Sequence, residues 1–272
     1  GLLSTSMNEL SDRRSRDRAV ATWLLLCCGL VFAMVILGGV TRLSGSGLSM
    51  AEWRPIMGAL PPLSEAEWQR VFDIYKETPE FQKVNSHMDV HDFKGIFWLE
   101  YLHRLLGRLL GLVFLLPLVY FVARKYIALR QLPWYLLMFG LGGLQAVIGK
   151  IMVASGQVDA PQVSHYKLTA HLSAAFLVFA LMFWRAQTLL HGLPGSRPHP
   201  WYPRTLALTA LVAVTIVSGG FVAGLDAGLR ERYDTLVPVV AAGDSELCHY
   251  HLDRPAILAW LKSAGNENGP AA

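Results

Sequence analysis

Five long apolar segments constrain this chain more than any other feature of its sequence. They cover about residues 20–40, 97–122, 132–152, 165–190 and 205–225, and each is close to the roughly 20 residues that an α-helix needs to cross a bilayer. Because lipid cannot satisfy exposed backbone groups, such segments are expected to form helices. The sequence therefore predicts an all-α polytopic membrane protein, with a four-helix transmembrane bundle and a fifth spanning helix.

Composition agrees with this class and excludes nucleic acid as a partner. Of the 272 residues, 53% are hydrophobic and only 16% are charged. The net charge of +4 is spread over short loops, without the basic stripe that nucleic-acid binding needs. The three cysteines form no CxxC pair, so the sequence supports neither a zinc site nor a disulfide framework.

The distribution of basic residues predicts the orientation of the helices. Lys and Arg residues precede the first segment and occupy the loops after the second and fourth segments, which the positive-inside rule places on the inner side. The net acidic loop 41–96 and the short loop near 155–162, which lacks Lys and Arg, then face outside. The second and fourth segments therefore both run inward from the outer surface.

Ionisable residues stand near the outer ends of those two segments, at Glu100, His103, Arg104 and His171. Near the bilayer centre an ionisable group costs roughly 2.5–3.5 kcal/mol on insertion scales, which points to binding or reaction. Glu100 and His103 share one helix face, and Arg104 is spaced to pair with Glu100. His103 and His171 both lie about six residues, roughly 9 Å, below the outer surface. Two imidazoles at equal depth on parallel helices could bind one iron from opposite faces, as in a haem site.

Sequence patterns divide the chain into an N-terminal segment, a bundle with an outer loop, a partial second bundle and a tail. We expect a disordered N-terminus at residues 1–19 and a bundle at 20–190 that carries an ordered outer loop at 41–96. Ser64 followed by Glu67 is a capping-box pattern, which predicts a short amphipathic helix from about residue 64. A weak repeat relates residues 39–48 to residues 220–229, so segment 205–229 is expected to begin an incomplete second bundle. Residues 230–272 lack a spanning pattern, which indicates truncation or alteration after Leu229, or a natural soluble tail.

Several motifs in fixed order are similar to those of the heme A synthase family, in the form found in mitochondria and related bacteria. The resemblance covers about residues 20–229 and rests on the stretches 37–43, 45–50, 100–108, 161–164, 170–172 and 219–229. It implies two four-helix bundles related by a pseudo-twofold repeat. It also implies a multi-pass protein of the bacterial plasma membrane or mitochondrial inner membrane, with its N-terminus on the cytoplasmic or matrix side.

The resemblance further implies an oxidoreductase that converts the ring methyl group of heme O to the formyl group of heme A, which cytochrome c oxidase uses. His103 and His171 would hold the substrate haem, with Glu100 beside the reacting methyl. The family's second site, for haem b, has no matching ligands here, because neither His249 nor His251 sits in a matching motif. A ferredoxin-type electron donor, heme O synthase, oxidase assembly factors and a second copy of the chain are the expected partners.

Alternatives remain open at this point. Arg104, Arg108 and Arg42 fit haem propionates, since Arg forks pair with carboxylates, but an Arg in a span also snorkels toward an interface. Glu100 could be an ordinary salt-bridge partner of Arg104 rather than a catalytic group. A bis-histidine haem b electron carrier, a solute transporter and an inactive fragment are the rival functions.

Overall fold

The computed structural model describes residues 2–52, 60–157, 163–192, 200–224, 240–242 and 245–248. Five of its helices are long and apolar enough to cross a membrane, which confirms the predicted all-α polytopic class and makes this an integral membrane protein. The helices are α1 (Leu2–Leu43), α2 (Glu65–Lys76), α3 (Val90–Ala123), α4 (Leu132–Ser155), α5 (His165–His191) and α6 (Tyr202–Gly224). Of these, α2 is the one that is not a candidate span.

The first unit, Gly1–Phe221, contains a bundle in which α1 packs against α3 and α5, and α4 packs against the same two helices. Helices α3 and α5 are not among the closely packed pairs, so they occupy opposite corners of the bundle. Trp23 of α1 lies at the centre of the core. Its indole nitrogen donates to the Val113 carbonyl at 2.8 Å, and its ring packs against Phe114 and Tyr135. Cys27 and Cys28 are buried in the same core, as small apolar residues.

The N-terminal segment differs from the predicted disorder, because α1 begins at Leu2. Asp12 and Arg16 form an ion pair one turn apart, an arrangement that supports an isolated helix. The Arg16 guanidinium also lies over the ring of Tyr126, 5.6 Å from its centroid. Polar composition alone therefore did not reveal that the spanning helix continues into this segment.

Helix α2 confirms the short helix that the capping pattern predicted near residue 64. Ser64 is the N-cap residue of α2, and its side chain accepts from the backbone N–H of Glu67. The buried face of α2 packs on the start of α3 in a cluster that we call the aromatic cap, formed by Trp68, Phe72, Tyr75, Phe93, Phe97 and Tyr101. A π-helical turn at Phe81–Asn85 joins α2 to α3. A 3₁₀ turn at Leu129–Gln131 leads into α4.

The turn after α1 brings the chain back over the outer end of α3. Gly45 has a φ of +65°, a left-handed conformation that glycine adopts without steric cost. The Ser46 N–H donates to the Thr41 carbonyl at 2.9 Å across this turn. The turn thereby leads the chain to Ser49 and Met50, which contact α3.

The second unit, Val222–Ala272, contains a short antiparallel hairpin that the sequence did not predict. Its strands are β1 (Val240–Ala242) and β2 (Ser245–Cys248). Val240 pairs with Cys248 and Ala242 with Ser245, with an irregularity after Val240. The predicted boundary at Leu229 lies outside the described residues.

Candidate functional site

The two histidines singled out by the sequence each rest against a glycine of a neighbouring helix. His103 of α3 lies on Gly38 of α1, where an added Cβ would be 3.0 Å from the imidazole Cε1. His171 of α5 lies on Gly149 of α4, where an added Cβ would be 3.3 Å from Cε1. Each glycine therefore provides room for a ring that a side chain would displace.

The two rings share one region of the bundle. They are close enough for their charges to interact, although α3 and α5 occupy opposite corners. The prediction placed them on two parallel helices, and in the structure α1 and α4 each pack against both of those helices.

The ring nitrogens of the two histidines differ in their hydrogen bonding. His103 Nδ1 is buried and has no hydrogen-bond partner among the residues that the structure describes. The side-chain amide of Gln145 lies 2.9 Å from His171 Nδ1. A buried nitrogen without a partner is costly, and imidazoles are established haem ligands. The half-buried rings, the orphaned nitrogen and the two glycine contacts fit a haem held between α3 and α5.

Glu100 lies one turn before His103 and joins α3 to the outer loop. Its Oε2 accepts from Ser49 Oγ and from the Met50 N–H, both at 2.8 Å. Its Oε1 forms an ion pair with Arg104. Glu100 is only 3% exposed, so both carboxylate oxygens are held in a buried network. The predicted pair with Arg104 is confirmed, and sequence reasoning missed Ser49 and Met50.

The three arginines proposed for haem propionates lie in different surroundings. Arg104 is occupied by Glu100 and also donates to the Met50 carbonyl at 3.2 Å. Arg108 follows one turn deeper on α3, is half-buried, and is near Tyr101 and Arg104. Arg42 is half-buried in the last turn of α1. Their contact with haem propionates stays a prediction.

A second buried polar group lies inside the aromatic cap. Tyr75 donates to Glu80 Oε2 at 3.1 Å, and the Asn85 amide donates to the Tyr75 hydroxyl at 2.8 Å. Burial is the main cause that raises the pKa of Glu80 to about 7, and the negative charge of Glu100 raises it further. Burial also raises the pKa of Tyr75 above its ordinary value. Near neutral pH this carboxyl is therefore poised between its two protonation states.

The remaining described histidines have other surroundings. His165 begins α5 and packs against Tyr166 and Phe221, in agreement with a structural role. His87 and His91 are exposed in the outer loop, and His191 ends α5. His249 and His251 lie outside the described residues.

Comparison with known proteins gives a consistent result. Residues 21–252 match the family model COX15-CtaA, described as a cytochrome oxidase assembly protein. The chain is 48% identical over 226 residues to a heme A synthase from Nitrosomonas eutropha, covering 80% of this chain and 63% of that protein. It is 49% identical over 235 residues to one from Paramagnetospirillum magneticum, covering 83% and 65%.

A third relative, a heme A synthase from Rhodospirillum centenum, is 49% identical over 218 residues, or 78% of this chain and 57% of that protein. The chain thus spans less than two thirds of the length of these relatives. No solved structure matches it significantly. The family match also continues past Leu229, where the sequence motifs end.

Proposed function

Because the chain belongs to the COX15-CtaA family of cytochrome oxidase assembly proteins, we propose that it acts as a heme A synthase. In this proposal it binds heme O inside the bundle and oxidises one ring methyl group to a formyl group through successive hydroxylations. The observation that carries the proposal is the pair of half-buried imidazoles, His103 and His171, which are close enough for their charges to interact although their helices occupy opposite corners of the bundle.

The roles of the chain's own residues follow from their positions. His103 and His171 bind the iron of the haem, and Gly38 and Gly149 fix where each ring lies. The bound haem supplies the redox chemistry. Since α1, α3, α4 and α5 enclose the site within the membrane, the bundle limits the access of water to the reacting methyl.

Glu100 is proposed as the carboxylate beside the reacting methyl, where it stabilises positive charge or relays a proton. Its contacts with Ser49, Met50 and Arg104 hold it in a fixed position one turn from His103. Those same contacts favour a second candidate function, a bis-histidine electron carrier, since they occupy both oxygens and give Glu100 a structural role. The two functions differ in whether Glu100 is needed for oxidation.

The remaining parts of the proposal concern the haem propionates, the orientation of the chain in the membrane and its partners. Arg42, Arg104 and Arg108 bind the haem propionates, and the N-terminus lies on the cytoplasmic or matrix side, as the basic residues favour. Electrons come from a ferredoxin-type donor, and dioxygen is the oxidant: in each hydroxylation one oxygen atom enters a C–H bond of the methyl group and the other is reduced to water. Heme O synthase supplies the substrate. The second haem b site and a homo-oligomer stay predictions for this chain.

The test is expression of the 272-residue chain in cells that make heme O but lack heme A synthase. We expect the purified protein to carry a Soret band and extracted haem to include heme A. Glu100→Gln should retain haem and lose heme A. Haem bound by this variant with unchanged heme A formation would remove Glu100 from the reaction. Haem bound by the wild type without any heme A would favour the electron carrier, and a protein without haem would contradict both functions.

A further inference from the structure

The hydroxyl of Ser49 lies among three oxygen atoms, one of which belongs to a titratable group. Its Oγ is 2.8 Å from Glu100 Oε2. It is also 2.9 Å from the Ser46 carbonyl oxygen and 3.3 Å from the Ile96 carbonyl oxygen. A serine hydroxyl carries one proton and two lone pairs, so it donates to one of these oxygens at a time. Ser49 is 2% exposed, and its hydrogen bonds are therefore made within the protein.

With Glu100 ionised, the contacts form one complete arrangement. Ser49 Oγ and the Met50 N–H donate to Oε2, and Arg104 forms an ion pair with Oε1. The Ser46 carbonyl keeps a partner when the hydroxyl points to Glu100, because it also accepts from the Ser49 N–H at 3.3 Å. The ionised carboxylate therefore leaves neither Ser49 nor the Ser46 carbonyl without a hydrogen bond.

The same atoms accommodate Glu100 with a proton on Oε2. The carboxyl O–H then donates to Ser49 Oγ across the same 2.8 Å, and the Ser49 hydroxyl turns to the Ser46 carbonyl at 2.9 Å. Oε1 stays the acceptor of Arg104. Rotation of one O–H bond exchanges the two arrangements. Neither leaves a buried donor without an acceptor, which would cost about 1–3 kcal/mol.

We propose that Ser49 is the positioning residue that allows Glu100 to take up and release a proton at Oε2 while the methyl group is oxidised. This inference rests on the proposed function and favours the proton relay among the roles given there to Glu100. Each hydroxylation uses one dioxygen, two electrons and two protons, and forms one water, so protons must reach the site. Glu100 gives the proton on Oε2 to the oxygen atom that leaves as water, and water protonates Glu100 again. Ser49 neither gains nor loses a proton.

Charged groups of both signs lie around Glu100. Arg104 of the same helix is its ion-pair partner, and an opposite charge favours the ionised carboxylate. Glu80 and Tyr75 of the outer loop are close enough for the charge of Glu100 to raise their pKa values. A negative charge on Glu80 therefore acts on Glu100 in the opposite sense to Arg104. Ser49 adds no charge, and its hydroxyl fits either protonation state.

The experiment compares Ser49→Ala and Ser49→Thr with the control Ser44→Ala, which removes an exposed hydroxyl from the same turn. Infrared spectra recorded as the pH is lowered should show the C=O stretch of protonated Glu100, identified by its loss in Glu100→Gln. In Ser49→Ala this band should move to higher frequency, because the carboxyl O–H has lost its acceptor. In Ser49→Thr and Ser44→Ala it should stay in place.

Heme A formation gives the second measurement. Ser49→Ala should bind haem as the wild type does, because Met50 and Arg104 still hold the carboxylate. It should form heme A at least about tenfold more slowly, since proton transfer by a positioned group contributes about 10²–10⁴-fold. Its solvent deuterium isotope effect should also be larger, and Ser49→Thr should restore both values. A structural role would instead weaken haem binding and leave the isotope effect unchanged.

Two results would overturn the inference and leave the proposed function intact, provided that the wild type forms heme A. One is a wild-type infrared band and rate in Ser49→Ala, and the other is the absence of a protonated Glu100 band at every pH at which the protein stays folded. A wild type that forms no heme A would instead overturn the proposed function. Circular dichroism shows whether each variant folds, and the infrared band of Ser49→Ala carries the test if Ser49→Thr does not fold.

Discussion

His103 and His171 make similar contacts with a glycine, but the residues around them differ. Each ring lies on a glycine of a neighbouring helix. His103 stands one turn from Glu100, which ties α3 to the outer loop through Ser49 and Met50. His171 is supported within the bundle by Gln145 of α4. One histidine is therefore coupled to the outer loop and the other to a membrane helix.

Because their surroundings differ, the two proposed ligands are expected to respond differently to substitutions nearby. The outer loop and the His103 side are linked by charge, because the charge of Glu100 contributes to the raised pKa of Glu80. Substitutions at the α4–α5 contact are instead expected to act on His171, which touches Gly149 and Gln145 of α4. Variants confined to one side of the bundle test whether the two sides differ in this way.

The largest expected effect is that of Glu100→Ala. It leaves Arg104, whose side chain is 11% exposed, without its carboxylate partner, and breaking a buried ion pair in this way costs about 3–5 kcal/mol. Denaturant unfolding in mild detergent measures the loss. The double variant Glu100→Ala/Arg104→Ala should regain part of it, because the uncompensated charge is gone. Glu65→Ala, at an exposed pair with Lys94, should change stability by less than about 1 kcal/mol. Equal losses in the Glu65 and Glu100 variants would refute the coupling of His103 to the loop.

A pH dependence follows from Glu80. In the fold its pKa is about 7, above the ordinary value of 4.5, so between these values the folded state binds more protons than the unfolded chain. Stability therefore falls as pH rises from about 4.5 to 7, by up to about 3 kcal/mol. The melting temperature of wild type minus that of Glu80→Gln should decrease across this window and level off above it. A constant difference would show that burial does not hold this carboxyl protonated.

A smaller effect is expected on the His171 side from Gly220→Ala. An added Cβ would be 3.1 Å from Thr169 Oγ1 and 3.2 Å from the Thr169 Cα, so α6 must move away from α5 close to His171. Overpacking of this kind typically costs 1–3 kcal/mol. Gly219→Ala is the matched control, because nothing lies within 4 Å of its Cβ and alanine favours a helix by up to about 1 kcal/mol. Identical unfolding curves for the two variants would contradict the close contact.

The smallest effect in free energy is expected when either of the two glycines that contact the histidine rings is replaced by alanine. Gly38→Ala brings a Cβ within 3.0 Å of His103, closer than the 3.3 Å at Gly149 and His171. Haem titration should therefore show weaker binding for Gly38→Ala than for Gly149→Ala, by about tenfold, which corresponds to 1.4 kcal/mol. Gly39→Ala and Gly143→Ala, whose Cβ atoms would meet nothing within 4 Å, should bind as the wild type does. The reverse order of the first two variants would contradict the geometry.

The parts of this fold that follow from local pattern were predictable from the sequence. Apolar length predicted the five spans, the spacing of Ser64 and Glu67 predicted the N-cap of α2, and the spacing of Glu100 and Arg104 predicted their ion pair. These features depend on residues a few positions apart. The helical N-terminus was missed because its contact with Tyr126 is made across more than 100 residues.

The contacts between helices could not be predicted, because the sequence does not say which faces meet. The contact of Gly149 with His171 depends on the rotation of α4 about its own axis. Gln145 carried a signal, a polar side chain in an apolar span one turn from that glycine, but nothing local identified its partner. Ser49 and Met50 were missed because their carboxylate partner lies about 50 residues further along the chain.

Low-temperature electron paramagnetic resonance of the ferric protein tests most directly whether His103 and His171 bind the same haem. The wild type should give a low-spin signal typical of two axial imidazoles, and His103→Gly and His171→Gly should each lose it. Added imidazole should restore the signal in either variant by entering the space of the missing ring. A low-spin signal that persists unchanged in either glycine variant would contradict the account.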